Sequence, residues 1–123
     1  MRNKRRRGAI PRITIDGRKV VEVRDEFERI TGLTYTPFDV EYCTLQPYVG
    51  DTFLLTPEGM HNKDVYTLFT ATKLSAGKQG TTQKPDEVFY DDKWFRVVKV
   101  KAWQTGVINH YECVVVELDE GLL

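Results

Sequence analysis

The chain has 123 residues, 41% hydrophobic and 29% charged, which is typical of one folded domain and excludes an intrinsically disordered protein. No apolar run approaches the roughly 20 residues of a transmembrane helix, and the short apolar stretch at 8–15 is interrupted by Arg12 and Pro11, unlike a signal peptide. We therefore expect a protein that stays in the compartment where it is made and has no membrane partner.

The formal net charge is zero, but the charges are unevenly distributed. Residues 1–24 contain nine Lys/Arg and two Asp/Glu, a net charge of +7, so residues 25–123 carry −7. Like charges repel each other, and the sequence therefore predicts a flexible basic arm at 1–11 on an acidic body. We expect the arm to contact either nucleic-acid phosphates or an acidic protein, with a solvated tail as the alternative. We favour the protein because the acidic body repels phosphate. Its candidate partner-binding residues are Arg2, Lys4, Arg5, Arg6 and Arg7.

The rest of the chain, residues 12–123, predicts a single β domain, with a hairpin and a short helix or turn in 12–38. The hairpin is predicted at 12–23 with Asp16-Gly17 at its tip, because both central residues of a type I′ turn need positive φ. Asp25 fits the N-cap of a helix or turn that continues to residue 31.

Residues 39–118 predict the strands of a small antiparallel β-barrel or sandwich. Short runs rich in β-branched and aromatic residues are separated by turn signals, without the intervening helices that a parallel sheet requires. The apolar run at 113–116 predicts that both faces of the last strand are covered there. After an extended or loop segment at 34–38, strands are predicted at 40–48, 65–74, 88–90, 94–103 and 107–118, turns at 91–93 and 104–106, and a loop at 50–64.

A polar connection at 75–87, rich in Gly, Thr and Lys, is long for so small a domain. Loops of this length are often functional or mobile, and the alternative is a solvated connection. Its polar side chains form the second candidate partner-binding set: Lys78, Gln79, Thr81, Gln83 and Lys84.

Patterns for catalysis or metal binding are weak. Cys43 and Cys113 form no CxxC motif and predict two free, buried thiols, with a disulfide or a reactive thiol as alternatives. His110 lies three residues before Cys113, so the two side chains would point to opposite faces of a strand. Asp91 and Asp92 are explained by a tight turn rather than by acid–base catalysis. We therefore expect no enzyme, no catalytic residue, no metal site and no cofactor.

Four sequence elements in 65–118 carry a family resemblance. They are Tyr-x-Leu-Phe-Thr at 66–70, Pro-Asp at 85–86, Lys-Trp-x-Arg-Val at 93–97 and Trp-Gln-x-Gly-Val-Ile-x-His-Tyr at 103–111. With these elements the C-terminal half resembles the small neck proteins of tailed bacteriophages, which are head-completion or head–tail connector proteins.

The resemblance implies a structural virion protein that forms a ring at the phage neck, closes the DNA-filled head and connects it to the tail. It implies identical subunits, portal or adaptor proteins and tail proteins as partners, with DNA passing through the channel without specific binding. The 75–87 loop would then project toward the channel or the next ring. The implied location is the virion neck, after assembly in the host cytoplasm. The alternatives are a small single-stranded nucleic-acid-binding β-barrel and a tail terminator or tail-completion protein.

Overall fold

The computed structural model describes residues 13–49, 63–105 and 108–118. The strands pair antiparallel and close into a barrel in the order β1-β2-β3-β6-β5-β4, which confirms the mainly β fold and the small antiparallel barrel. None of the described residues belongs to a helix, and no membrane-spanning helix is found among them. The strands are β1 (Ile13–Arg24), β2 (Ile30–Pro47), β3 (Val65–Thr70), β4 (Glu87–Tyr90), β5 (Lys93–Thr105) and β6 (Ile108–Glu117).

The barrel interior is filled by apolar side chains that alternate along each strand, as the period of two requires. Every strand contributes to this core, and Leu74 adds to it from the connection between β3 and β4. Residues 113–116 are all buried, so the prediction that both faces of β6 are covered is confirmed. The strand residues of the core are Ile15, Val40, Cys43, Leu68, Val88, Phe95, Val97, Cys113 and Val115.

The predicted turn at Asp16-Gly17 is wrong, because β1 runs through these residues without interruption. Gly17 pairs with Phe38 on one side and Val88 on the other. A Cβ atom at Gly17 would lie 2.7 Å from Cγ2 of Val40 and 2.9 Å from Cζ of Phe38. Glycine is needed here for close packing inside the sheet, not for positive φ.

The hairpin turn lies instead at 25–29, between β1 and β2. Asp25 Oδ1 accepts hydrogen bonds from the backbone N–H groups of Phe27 (2.8 Å) and Arg29 (2.9 Å). These bonds close a turn, so the turn alternative for this segment is confirmed and the helix alternative is wrong. Residues 34–38 are extended, as predicted, but they belong to the long strand β2.

Other boundaries differ by a few residues. β3 ends at Thr70, so the connection to β4 begins earlier than predicted. Asp91 and Asp92 have φ values of 55° and 64°, which confirms the tight turn between β4 and β5. The predicted turn at 104–106 begins too early, since residues 104 and 105 still pair with β6. Residues 50–62 of the predicted loop at 50–64 lie outside the described residues, as does the basic arm.

Candidate assembly interface

Residues 19–36 form a projecting hairpin, in which β1 and β2 continue beyond their other strand partners. β4 pairs with β1 only at Gly17 and Arg18, and β3 pairs with β2 only from Thr44 to Pro47. The pairing between β1 and β2, by contrast, continues to Arg24 and Ile30. This end of the hairpin therefore stands out from the barrel as two strands.

The two edges of the projecting hairpin differ. The β1 edge is supported by the connection between β3 and β4, since the N–H of Glu22 donates to Thr82 O (2.8 Å) and the N–H of Lys84 donates to Val20 O (2.9 Å). Within the described ranges, residues 30–39 on the β2 edge pair with no strand other than β1. Unpaired strand edges are templates for pairing with another chain.

Exposed apolar side chains lie on both faces of this hairpin. Residues 30–37 are all exposed, and 30–38 include no charged residue, although charges commonly protect free strand edges. Solvent-exposed apolar groups clustered in this way mark a surface that a partner covers. The exposed large apolar side chains are Val21, Val23, Phe27, Ile30, Leu33 and Tyr35.

The tip of the hairpin is held by its own charges. Arg29 Nε donates to Asp25 Oδ2 at 2.8 Å, and Arg24 Nη2 donates to Glu22 Oε1 at 2.8 Å. The backbone hydrogen bond from Arg29 is the main cause that lowers the pKa of Asp25 below its usual value. The turn is therefore fixed by hydrogen bonds, and it presents the exposed ring of Phe27 in a defined position.

The structure brings the five predicted loop residues together around one open depression of about 450 Å³. Three of them are exposed, Lys78, Gln79 and Thr81, and their partner-binding role remains a prediction. Gln83 and Lys84 are half-buried and lie against β1, where Lys84 Nζ is 3.4 Å from Glu22 Oε2.

A buried carboxylate fixes the base of this loop. The side chain of Asp86 is fully buried, and its Oδ2 accepts hydrogen bonds from the N–H of Ser75 and from Lys19 Nζ, both at 2.9 Å. The backbone of Asp86 also bonds to Ser75 and Val97. Because both ends of the loop are joined through Asp86, the exposed residues at its tip project from a firmly anchored base.

The side chains that suggested chemistry in the sequence do not come together as a catalytic site. Cys43 and Cys113 are free and buried, which confirms that prediction. Burial is the main cause that raises the pKa of Cys113 to about 12, and this opposes formation of a reactive thiolate. Among the residues described, no group of three or more His, Cys, Asp or Glu is arranged to hold a metal ion.

Sequence reasoning missed the projecting hairpin because Asp16-Gly17 was interpreted as its tip. The signal that identifies it is the uncharged run Ile-Thr-Gly-Leu-Thr-Tyr-Thr-Pro-Phe at 30–38, directly after a turn closed by Asp25. The arm residues Arg2, Lys4, Arg5, Arg6 and Arg7 lie outside the described residues, and their partner-binding role stays a prediction.

Comparison with known proteins agrees with a structural virion role. A family described as phage head completion protein matches residues 9–118. A solved chain titled "Virion of native gene transfer agent (GTA) particle" superposes with a TM-score of 0.55 over 88% of this chain and 97% of that chain. Its 14% identity limits the likeness to the fold. No curated protein matches the sequence.

The family match covers all six strands of the barrel. It confirms the resemblance to phage head-completion proteins that 65–118 suggested. The chain therefore belongs to the phage head completion protein family, and its role is structural, in a phage virion.

Proposed function

We propose that this protein forms a ring at the phage neck that closes the DNA-filled head and connects it to the tail. The projecting hairpin carries this proposal, because its uncharged β2 edge and its exposed apolar side chains suit a subunit interface rather than solvent. In a ring each copy uses one patch to contact a different patch on the next copy. A projection on one side of a barrel provides such a heterologous contact.

The protein acts in this proposal by binding and shape, without catalysis. Portal or adaptor proteins contact one side of the ring and tail proteins the other. Residues 25–123 carry a net charge of −7, and acidic channel walls would let DNA pass without specific binding because like charges repel. Lys78, Gln79 and Thr81, at the exposed tip of the anchored loop, reach the next ring or the channel. The ring assembles in the host cytoplasm and remains in the virion neck.

Charged substitutions on the projecting hairpin test this proposal. Leu33 and Tyr35 are both 45% exposed, so Leu33→Asp and Tyr35→Asp together should leave the barrel folded, with nearly unchanged thermal unfolding. When the double variant replaces the wild-type protein during particle assembly, heads without tails should accumulate. Asp92→Lys, at the exposed turn between β4 and β5, is the matched control and should give normal particles.

The readout is the fraction of tailed particles and the amount of this protein in purified heads, measured by electron microscopy and mass spectrometry. A folded double variant that is incorporated and supports tails as well as the wild type contradicts the interface. Recovery of the wild-type protein only on free tails contradicts the neck position.

A further inference from the structure

A groove on the barrel is lined by residues of β1 and β2 together with Trp94 of β5. It has a volume of about 670 Å³ and lies beside the base of the projecting hairpin. Aromatic rings, a proline and two carboxylates dominate its surface. The lining residues are Asp16, Gly17, Arg18, Tyr35, Pro37, Phe38, Asp39 and Trp94.

The aromatic walls of this groove already hold one guanidinium group. The guanidinium carbon of Arg18 lies 3.9 Å from the ring centroid of Trp94 and 4.2 Å from that of Tyr35. Arg18 Nη2 is 2.6 Å from Glu87 Oε1, so Glu87 of β4 neutralises the charge of Arg18. The groove therefore packs a planar cation against aromatic rings. Because Arg18 pairs with Glu87, it does not neutralise Asp16 and Asp39, the two carboxylates that line the groove.

Asp16 and Asp39 form an unfavourable pair at the rim of the groove. They are direct partners in the register between β1 and β2, so their side chains leave the same face of the sheet. Both are exposed, and within the described part of the chain no cation forms an ion pair with either one. Like charges directly opposite each other are destabilising. When Glu87 is included, three carboxylates accompany one guanidinium, a net charge of −2.

We propose that this groove binds the basic segment at residues 2–7 of a neighbouring copy of the chain. The inference rests on the proposed ring and names the partner of the basic arm within it. The segment has five cationic side chains in six residues, four of them arginines. Arginine suits this groove because its guanidinium can bind Asp16 or Asp39 through two hydrogen bonds.

The position of Ile13 favours a neighbouring copy as the source of the segment. β1 begins at Ile13, paired with Cys43, and continues from there past Asp16. The same chain's segment would have to reverse direction immediately before β1 to reach the groove. A segment from an adjacent copy needs no reversal, and the five residues between Arg7 and Ile13 let it reach at most about 20 Å from its own β1.

Isotope-resolved cross-linking of the full chain tests the proposal. Unlabelled and ¹⁵N-labelled wild-type protein are mixed, and a carbodiimide joins Lys4 to any carboxylate that contacts it. We expect peptides that join Lys4 to Asp16 or Asp39 with one labelled and one unlabelled partner. Asp92, in the tight turn between β4 and β5, is the control carboxylate. Replacing Arg5, Arg6 and Arg7 by Gln should lower the yield of these peptides about tenfold by removing the charge attraction.

Each other outcome overturns the proposal. Lys4 peptides with only one isotope would show that the segment binds its own groove. Absence of any product at Asp16 and Asp39 would show that the groove does not hold the segment.

A complementation experiment gives an independent test in assembled particles. Asp16→Arg with Asp39→Arg, and separately Arg5, Arg6 and Arg7 replaced by Glu, should each lower incorporation, whereas the two variants expressed together should restore it. Failure to restore incorporation contradicts exchange between copies. If the protein forms a neck ring in which residues 2–7 do not contact the groove, only the groove proposal is refuted. If these contacts are found in a ring at another position in the virion, only the proposed neck function is refuted.

Discussion

Gly17→Ala tests whether the centre of β1 is packed as tightly as the structure indicates. The new Cβ atom would lie 2.7 Å from Cγ2 of Val40 and 2.9 Å from Cζ of Phe38, whereas ordinary contacts begin at 3.4 Å. Val40 is fully buried and cannot move outward. Overpacking of this kind costs about 1–3 kcal/mol of unfolding free energy. For a domain of this size, that lowers the melting temperature by about 4 °C for each kcal/mol.

Gly32→Ala is the matched control in the same hairpin, because no atom lies within 4 Å of its added Cβ. It should change the free energy of unfolding by less than about 0.5 kcal/mol. Urea unfolding followed by tryptophan fluorescence measures both variants. Combining Gly17→Ala with Val40→Ala should cost less than the sum of the two single changes, because one removes the methyl group that the other meets. Equal stability of Gly17→Ala and Gly32→Ala would refute the packing argument.

Three further predictions concern the barrel itself. Asp86→Ala should lower the free energy of unfolding by about 2–4 kcal/mol, because it leaves the N–H of Ser75 without its acceptor, while Asp86→Asn retains an acceptor and should cost less. The pKa of Cys113 rises from 9.0 to about 12, so unfolding releases a proton in that window and stability should fall there with pH by up to ~1.4 kcal/mol per unit. The free energy of unfolding, measured by urea unfolding at several pH values above 9.0, should decrease less steeply with pH in Cys113→Ala than in the wild type. An equal decrease in both proteins would contradict the burial of this thiol. Asp92 has a φ of 64°, so Asp92→Gly should raise the free energy of unfolding by about 0.5 kcal/mol and Asp92→Val should lower it by about 1–2 kcal/mol. Thermal unfolding measures both variants, and the reverse order would contradict the turn geometry.

The C-terminal half could be predicted well from sequence because its signals are local. The Asp91-Asp92 turn and the continuous apolar run at 113–116 each have one simple physical interpretation, and both were confirmed. The free, buried state of Cys43 and Cys113 also followed from composition and spacing.

The N-terminal half was harder because its signals depend on tertiary contacts. Asp16-Gly17 fits a tight turn locally, but the need for glycine comes from Val40 and Phe38 across the sheet. The role of Asp86 could not be predicted from sequence for the same reason, because its hydrogen-bond partners Ser75 and Lys19 are 11 and 67 residues away in the chain. The groove likewise depends on the register that places Asp16 opposite Asp39.

The position of the protein in the virion tests the central claim most directly. Purified particles, imaged by cryo-electron microscopy at a resolution that shows strands, should contain a ring of six-stranded barrels at the junction of head and tail. The projecting hairpin of each barrel should contact the next copy. Absence of the barrel from particles, together with recovery of the protein bound to nucleic acid, would contradict the account and favour a nucleic-acid-binding role.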